Sequence, residues 1–177
     1  GIYDRGAKSI ALPAEARRAL GLDASTVTPT ELMRTILAAP VDLLYFGGIG
    51  TYVKASSESH AEAGDRASDA VRIDAGRLRA RVIGEGANLG FTQRGRIEAA
   101  LAGCRINTDA LDNSAGVDTS DHEVNIKVAT GDAISRGQLA GPDRDALLFS
   151  MTDDIAALVL RHNYQQSQAI SVALAQA

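Results

Sequence analysis

Apolar positions follow two different rhythms along this chain, and each predicts a different element. Residues 13–20, "PAEARRAL", predict a short helix with Pro13 at its first position and Gly21 as its stop. After Thr28, Leu32, Met33, Ile36 and Leu37 recur at three- and four-residue steps. That spacing predicts a helix capped by Thr28, with Pro29 in its first turn and Pro40 beyond its end. The rhythm then changes. "VDLLYF", 41–46, is an unbroken apolar run closed by Gly47 and Gly48, which predicts a buried strand. "RARVIGEG", 79–86, and "CRINT", 104–108, predict two more strands. Between them "TQRGRIEAALAG", 92–103, predicts a helix capped by Thr92 and stopped at Gly103, with Gly95 costing it about 1 kcal/mol. Residues 55–69 are polar and predict loop with weak helix.

Strand, helix, strand with short connections predicts α/β architecture with a parallel sheet. Ligands of such sheets sit beyond the C-terminal strand ends. The three predicted strands end in Gly47-Gly48, in Gly86-Ala87-Asn88 and in the stretch Asp109 to Gly116, so these turns are expected to line one crevice. Beyond Gly141-Pro142, Leu147, Met151, Ile155, Leu158 and Val159 predict one amphipathic helix capped near Asp143. No strand follows, so 136–177 is expected to be a helical extension of a domain formed by 1–135.

With 45% hydrophobic and 23% charged residues, the 177-residue chain suits a soluble globular domain or a domain with an appendage. No run approaches the roughly 18 apolar residues of a membrane span, and no secretory signal is visible. A net charge of −4 argues against a general nucleic-acid or membrane-surface role. The single cysteine, Cys104, excludes an internal disulfide and fits a reducing, cytoplasmic compartment; beside Leu101 and Ile106 it is expected to be a small buried hydrophobe. The chain starts without methionine and stops inside a helical pattern, which reads as a piece of a longer protein.

Two glycine clusters approach a diphosphate-binding loop and miss it. "GGIGTYV" has Val53 at the position of the third glycine, and "GEGANLG" has Leu89 there. No metal is expected: His60, His122 and His162 are scattered, and Asp109, Asp112, Asp118 and Asp121 lack the glycine and bidentate glutamate of a calcium loop. In "DALDNSAGVDTSDHEVN", 109–125, seven acidic or amide side chains crowd around the small apolar residues Ala115-Gly116-Val117. Ser120 followed by Glu123, with Val124 and Val128 beyond, has the capping-box pattern, which predicts a helix N-terminus at Ser120 able to receive an anion.

The words "VDLLYFGGIGTYVKA", "VIGEGANLG" and "TQRGRIEAALAGCRINTDALDNSAGVDTSDHEVNIK" together resemble the very large bacterial NAD-dependent glutamate dehydrogenases. The resemblance runs from about Gly1 to Val128 and more loosely through "SMTDDIAALVLRHNYQQSQAIS". It implies the distal half of a Rossmann-like, doubly wound cofactor domain, with the diphosphate loop upstream, followed by the start of a C-terminal helical region. It also implies NAD as cofactor, L-glutamate, 2-oxoglutarate and ammonium as reactants, a homo-oligomeric full-length enzyme, and catalytic residues on a separate substrate domain that nothing here matches.

Site residues carry over motif by motif. Glu85-Gly86-Ala87-Asn88 is similar to the E-G-A-N turn of the smaller glutamate dehydrogenases, which implies Asn88 on the nicotinamide side, with Gly47 and Gly48 also beside the cofactor. Asn113 to Glu123 resembles their N-A-G-G-V-x-x-S-x-x-E segment, with Ser114 and Ala115 as departures. That implies Asn113 at the nicotinamide carboxamide or its ribose, Val117 against the substrate's carbon chain, and Ser120 on its distal carboxylate. Asp118 and Asp121 add negative charge beside a dianionic substrate, which cations from elsewhere must offset. The isolated chain is expected to be inactive. Two alternatives stand beside this reading: a non-catalytic scaffold or oligomerisation module, and a related dehydrogenase with an apolar side-chain pocket, against which Ser120 argues.

Overall fold

The computed structural model describes residues 1–177, which divide into two compact units, Gly1–Asp109 and Ala110–Ala177. The first unit opens with β1 (Ile10–Ala11), α1 (Ala14–Leu20), β2 (Thr26–Val27) and α2 (Pro29–Leu37). β1 and β2 pair antiparallel, and Ile10, Leu12, Val27 and Leu32 form a small core beneath them. Pro13 is the residue before α1 rather than its first, and Gly21 ends that helix with left-handed φ of 66°. At α2 the Thr28 side chain accepts the Glu31 N–H while Glu31 reaches back to the Thr28 N–H, a complete capping box.

There follow β3 (Leu43–Phe46), β4 (Val53–Lys54), α3 (His60–Ala63), β5 (Ile73–Asp74), β6 (Val82–Glu85), α4 (Gln93–Leu101) and β7 (Arg105–Ile106). β3, β6 and β7 make a three-stranded parallel sheet in the order β3-β6-β7, with Phe46 opposite Glu85 and Val82 opposite Arg105. β4 and β5 form a separate parallel pair. The architecture is therefore α/β with a parallel sheet. Phe46, Ile83, Val53, Ile73, Phe91 and Ala99 fill the core on one face of it.

The expectation of a buried strand at 41–46 needs correction. β3 is an edge strand, and its outward residues Leu43 and Tyr45 are 57% and 63% exposed, because only one face of the sheet is covered. Alternation, not continuous burial, is what this run encodes: Phe46 points into the core at 5% exposure. Gly95 also has a role that helix propensity hides. A Cβ there would stand 2.8 Å from the Lys54 carbonyl carbon and 3.0 Å from the Ala55 nitrogen, so glycine lets α4 lie directly on the backbone of β4.

α5 (Asp109–Asp112) spans the boundary between the units. The second unit continues with α6 (Ser114–Ser135), α7 (Gly141–Ser150) and α8 (Thr152–Gln176). Two expectations change here. The predicted single helix around Leu147–Val159 is broken at Met151, whose φ of −88° and ψ of 0° end α7 and start α8. The helix expected to begin at Ser120 begins at Ser114, so Ser120 lies inside it and makes no capping box. α6 presents Ser114, Asp118, His122, Ile126 and Thr130 at four-residue steps, and all are buried or half-buried while Ser120, Val124 and Val128 are exposed. Packing of that stripe fixes the helix start, overriding the local Ser-x-x-Glu signal. No helix is long and apolar enough to cross a membrane.

Candidate functional site

Because β3, β6 and β7 run parallel, the turns that follow them leave the sheet at one edge. The Gly47-Gly48 turn follows Phe46, and the Gly86-Ala87-Asn88 turn follows Glu85, its register partner. An apolar cleft of about 250 Å³ lies beside the first turn, lined by Met33, Ile36, Leu37, Tyr45, Gly47 and Gly48 among others. The Tyr45 ring lies across Gly84 and Gly86, and a Cβ at Gly86 would displace the exposed end of that side chain. A larger cleft, about 730 Å³, opens beside Arg81, Val82 and Arg105 at the N-terminal edge and shares no residue with these turns.

Two polar networks brace this edge. Glu85 is fully buried and its Oε1 accepts from Arg96 Nη2 at 2.6 Å and Nε at 3.1 Å. Burial holds the Glu85 carboxyl above the ordinary glutamate value, with Arg96 pulling the other way. Arg96 also lies 3.7 Å from Asp109, whose Oδ2 accepts the Leu89 N–H at 2.8 Å. The loop after β6 is thus tied to the residue that opens α5. Leu89 takes φ of 62°, a left-handed conformation costly for a side chain with a Cβ and concentrated at functional turns. The second network centres on Arg72, whose side chain is fully buried. It donates to the Thr51 carbonyl at 2.7 Å and pairs with Asp69 at 2.5 Å, while Thr51 N–H donates to Asp65 at 2.8 Å. This pins the chain just beyond the Gly47–Gly50 turn.

The second unit carries the other expected site residues on α6. Asn113 is its N-cap residue, and its carbonyl accepts the N–H groups of Gly116 and Val117, both at 3.0 Å. Val117 is half-buried and Ser120 is exposed one turn further on. Ser120 therefore offers a hydroxyl but no orphan N–H groups, which belong to the first turn of a helix. Cys104 is a half-buried free thiol whose pKa burial pushes upward, in keeping with a packing role.

Sequence reading named Glu85 only within the E-G-A-N word and did not single out Arg96 or Arg72, because their partners Glu85 and Thr51, 11 and 21 residues away, leave no local period. It also missed that His122 and His162 meet. Asp118 and His122 are four apart on α6, and His162 on α8 joins them. The i, i+4 pair was readable; the third member, 44 residues away from Asp118, was not.

Comparison with known proteins gives this geometry a lineage. The chain is 54% identical over 183 aligned residues to the NAD-specific glutamate dehydrogenase of Mycobacterium tuberculosis, an alignment covering 100% of this chain and 11% of that protein. It is 52% identical to the NAD-specific glutamate dehydrogenase of Pseudomonas aeruginosa and 51% identical to that of Halomonas elongata, each over 173 residues, 98% of this chain and 11% of the relative. The chain thus spans about a ninth of the length of these relatives. The family model for the bacterial NAD-glutamate dehydrogenase catalytic domain matches residues 1–173, and the chain belongs to that family.

Proposed function

We propose that this chain is part of an enzyme that deaminates L-glutamate oxidatively to 2-oxoglutarate and ammonium with NAD. Residues 1–135 would supply the distal part of a Rossmann-like cofactor domain, and 136–177 would lead into a helical region. The observation that carries the proposal is the family match across 1–173 together with two small-residue turns, Gly47-Gly48 and Gly86-Ala87-Asn88, at the C-terminal edge of one parallel sheet.

NAD, when bound, accepts the hydride that leaves the α-carbon of glutamate. Gly47 and Gly48 would give it close approach to the backbone, the Asn88 amide would lie on its nicotinamide side, and the Asn113 amide would meet its carboxamide or ribose. The neighbouring apolar cleft suits the flat face of an aromatic ring, and the bracing of Glu85 by Arg96 keeps the Asn88 turn in place. On the substrate side Val117 packs against methylene groups and the Ser120 hydroxyl donates to the distal carboxylate. The proton-transfer residues lie on another domain of the full-length protein, and no residue here is assigned to that step. The setting proposed is the cytoplasm and the assembly a homo-oligomer.

The test is an assay of the purified full-length protein for reduced nicotinamide, with glutamate, leucine and phenylalanine in parallel. Glutamate-dependent reduction of NAD, with little from the apolar amino acids, is expected. Absence of reduction with glutamate, or a preference for leucine, overturns the proposal.

A further inference from the structure

We infer that Asp118, His122 and His162 form a binding site for one divalent transition-metal ion of the zinc type, clipping α6 to α8. One carboxylate oxygen and one imidazole nitrogen from each histidine lie within 4.8 Å of one another. His162 Nδ1 is 2.9 Å from Asp118 Oδ2, and His122 Nε2 is 3.5 Å from Asp118 Oδ1. Donors held on a common ion by bonds of ~2.0–2.1 Å in tetrahedral array stand ~3.3 Å apart. These two separations, which go to different oxygens of Asp118, bracket that value, and all three donor atoms lie within 4.8 Å of one another, so side-chain adjustments of up to about 1.5 Å bring them onto one ion.

A second observation points the same way. His122 Nε2 is sealed from solvent and has no hydrogen-bond partner, the Asp118 oxygen at 3.5 Å lying outside bonding geometry. A buried ring nitrogen without a partner is costly, and a metal ion satisfies it. The backbone prepares the arrangement: Asp118 and His122 are one helical turn apart on α6, and the His122 and His162 rings stack with centroids 5.6 Å apart and planes at 23°. The three side chains are between 21% and 33% exposed, so the cluster lies near the surface of the helix pair. Two imidazoles and one carboxylate are borderline donors, suited to Zn²⁺ and its neighbours rather than to Ca²⁺ or Mg²⁺.

The experiment uses the full-length protein, stripped with a chelator and titrated with Zn²⁺ by calorimetry, with Co²⁺ as a spectroscopic probe. The wild type is expected to bind one more Zn²⁺ per chain than the His122→Gln/His162→Gln variant, and to show visible Co²⁺ bands that the variant lacks. Asp118→Asn, which preserves size, is expected to weaken that site at least tenfold, and it serves as the test if the double variant fails to fold. Equal Zn²⁺ stoichiometry and affinity in wild type and in either folded variant overturns the inference.

Discussion

Asn163 on α8 donates through Nδ2 to the Ser114 hydroxyl at 2.7 Å and to the Leu111 carbonyl at 3.2 Å. A single amide on the last helix thereby holds both the end of α5 and the first residue of α6, next to Asn113. Removing it leaves Ser114, which is buried, and a peptide carbonyl without that donor. Asn163→Ala is expected to lower stability by about 1–2 kcal/mol. Chemical denaturation of the purified chain measures this, and an unchanged midpoint contradicts the clamp.

Gly95→Ala separates helix propensity from packing. Propensity alone favours alanine in α4 by about 1 kcal/mol. The added methyl meets the β4 backbone at 2.8 Å, and backbone cannot swing aside as a flexible side chain does. Net destabilisation of about 1–3 kcal/mol is expected. A rise in melting temperature would show that α4 can back away from β4 at little cost.

How much of this was legible beforehand depends on where each signal resides. The Thr28 and Thr92 caps and the four-residue strands β3 and β6 rest on neighbouring residues and could be read directly. β1, β2, β4 and β5 are two residues each, too short to show a period, and exist through their partners. The N-cap of α6 is Asn113, seven residues before the Ser120 that the local Ser-x-x-Glu pattern indicates. Its buried stripe contains Ser114, Asp118, His122 and Thr130, polar residues that conceal a helical pattern until α8 is in place. At the cofactor edge, the words Gly47-Gly48 and Glu85-Gly86-Ala87-Asn88 pointed to the turns. The bracing from Arg96 and Arg72 arises only in three dimensions.

Acid should weaken the first unit, and the sign follows from its carboxylates. Glu98 accepts from the Ser56 hydroxyl and from the Ser56 N–H at 2.8 Å, which hold its pKa below the ordinary 4.5. Hydrogen bonds from Ser68 and Thr51 lower Asp65 from 3.8, and those from Thr28 and Ser59 lower Glu31 and Glu62. Such groups favour the folded state above their unfolded values, and the contribution is lost as pH falls through the folded ones. Glu85 acts in reverse: raised by burial, it contributes below 4.5 and loses that contribution as pH rises through its folded value. Stability is therefore expected to fall as pH drops below about 4.5, and less steeply in Glu98→Gln than in the wild type. Parallel curves for the two proteins would contradict the assignment to Glu98.

The central claim is that Ser120, exposed inside α6 and free of a capping duty, meets the distal carboxylate of glutamate. Steady-state kinetics of the full-length Ser120→Ala enzyme, varying glutamate and NAD separately, test it most directly. Loss of one hydrogen bond to a charged group costs about 1.5–3 kcal/mol, so kcat/KM for glutamate should fall roughly 10- to 150-fold. The KM for NAD and the melting temperature should hardly move, because Ser120 caps no helix, and Ser120→Asp should be worse still through charge repulsion. Normal glutamate kinetics in both variants would contradict the account.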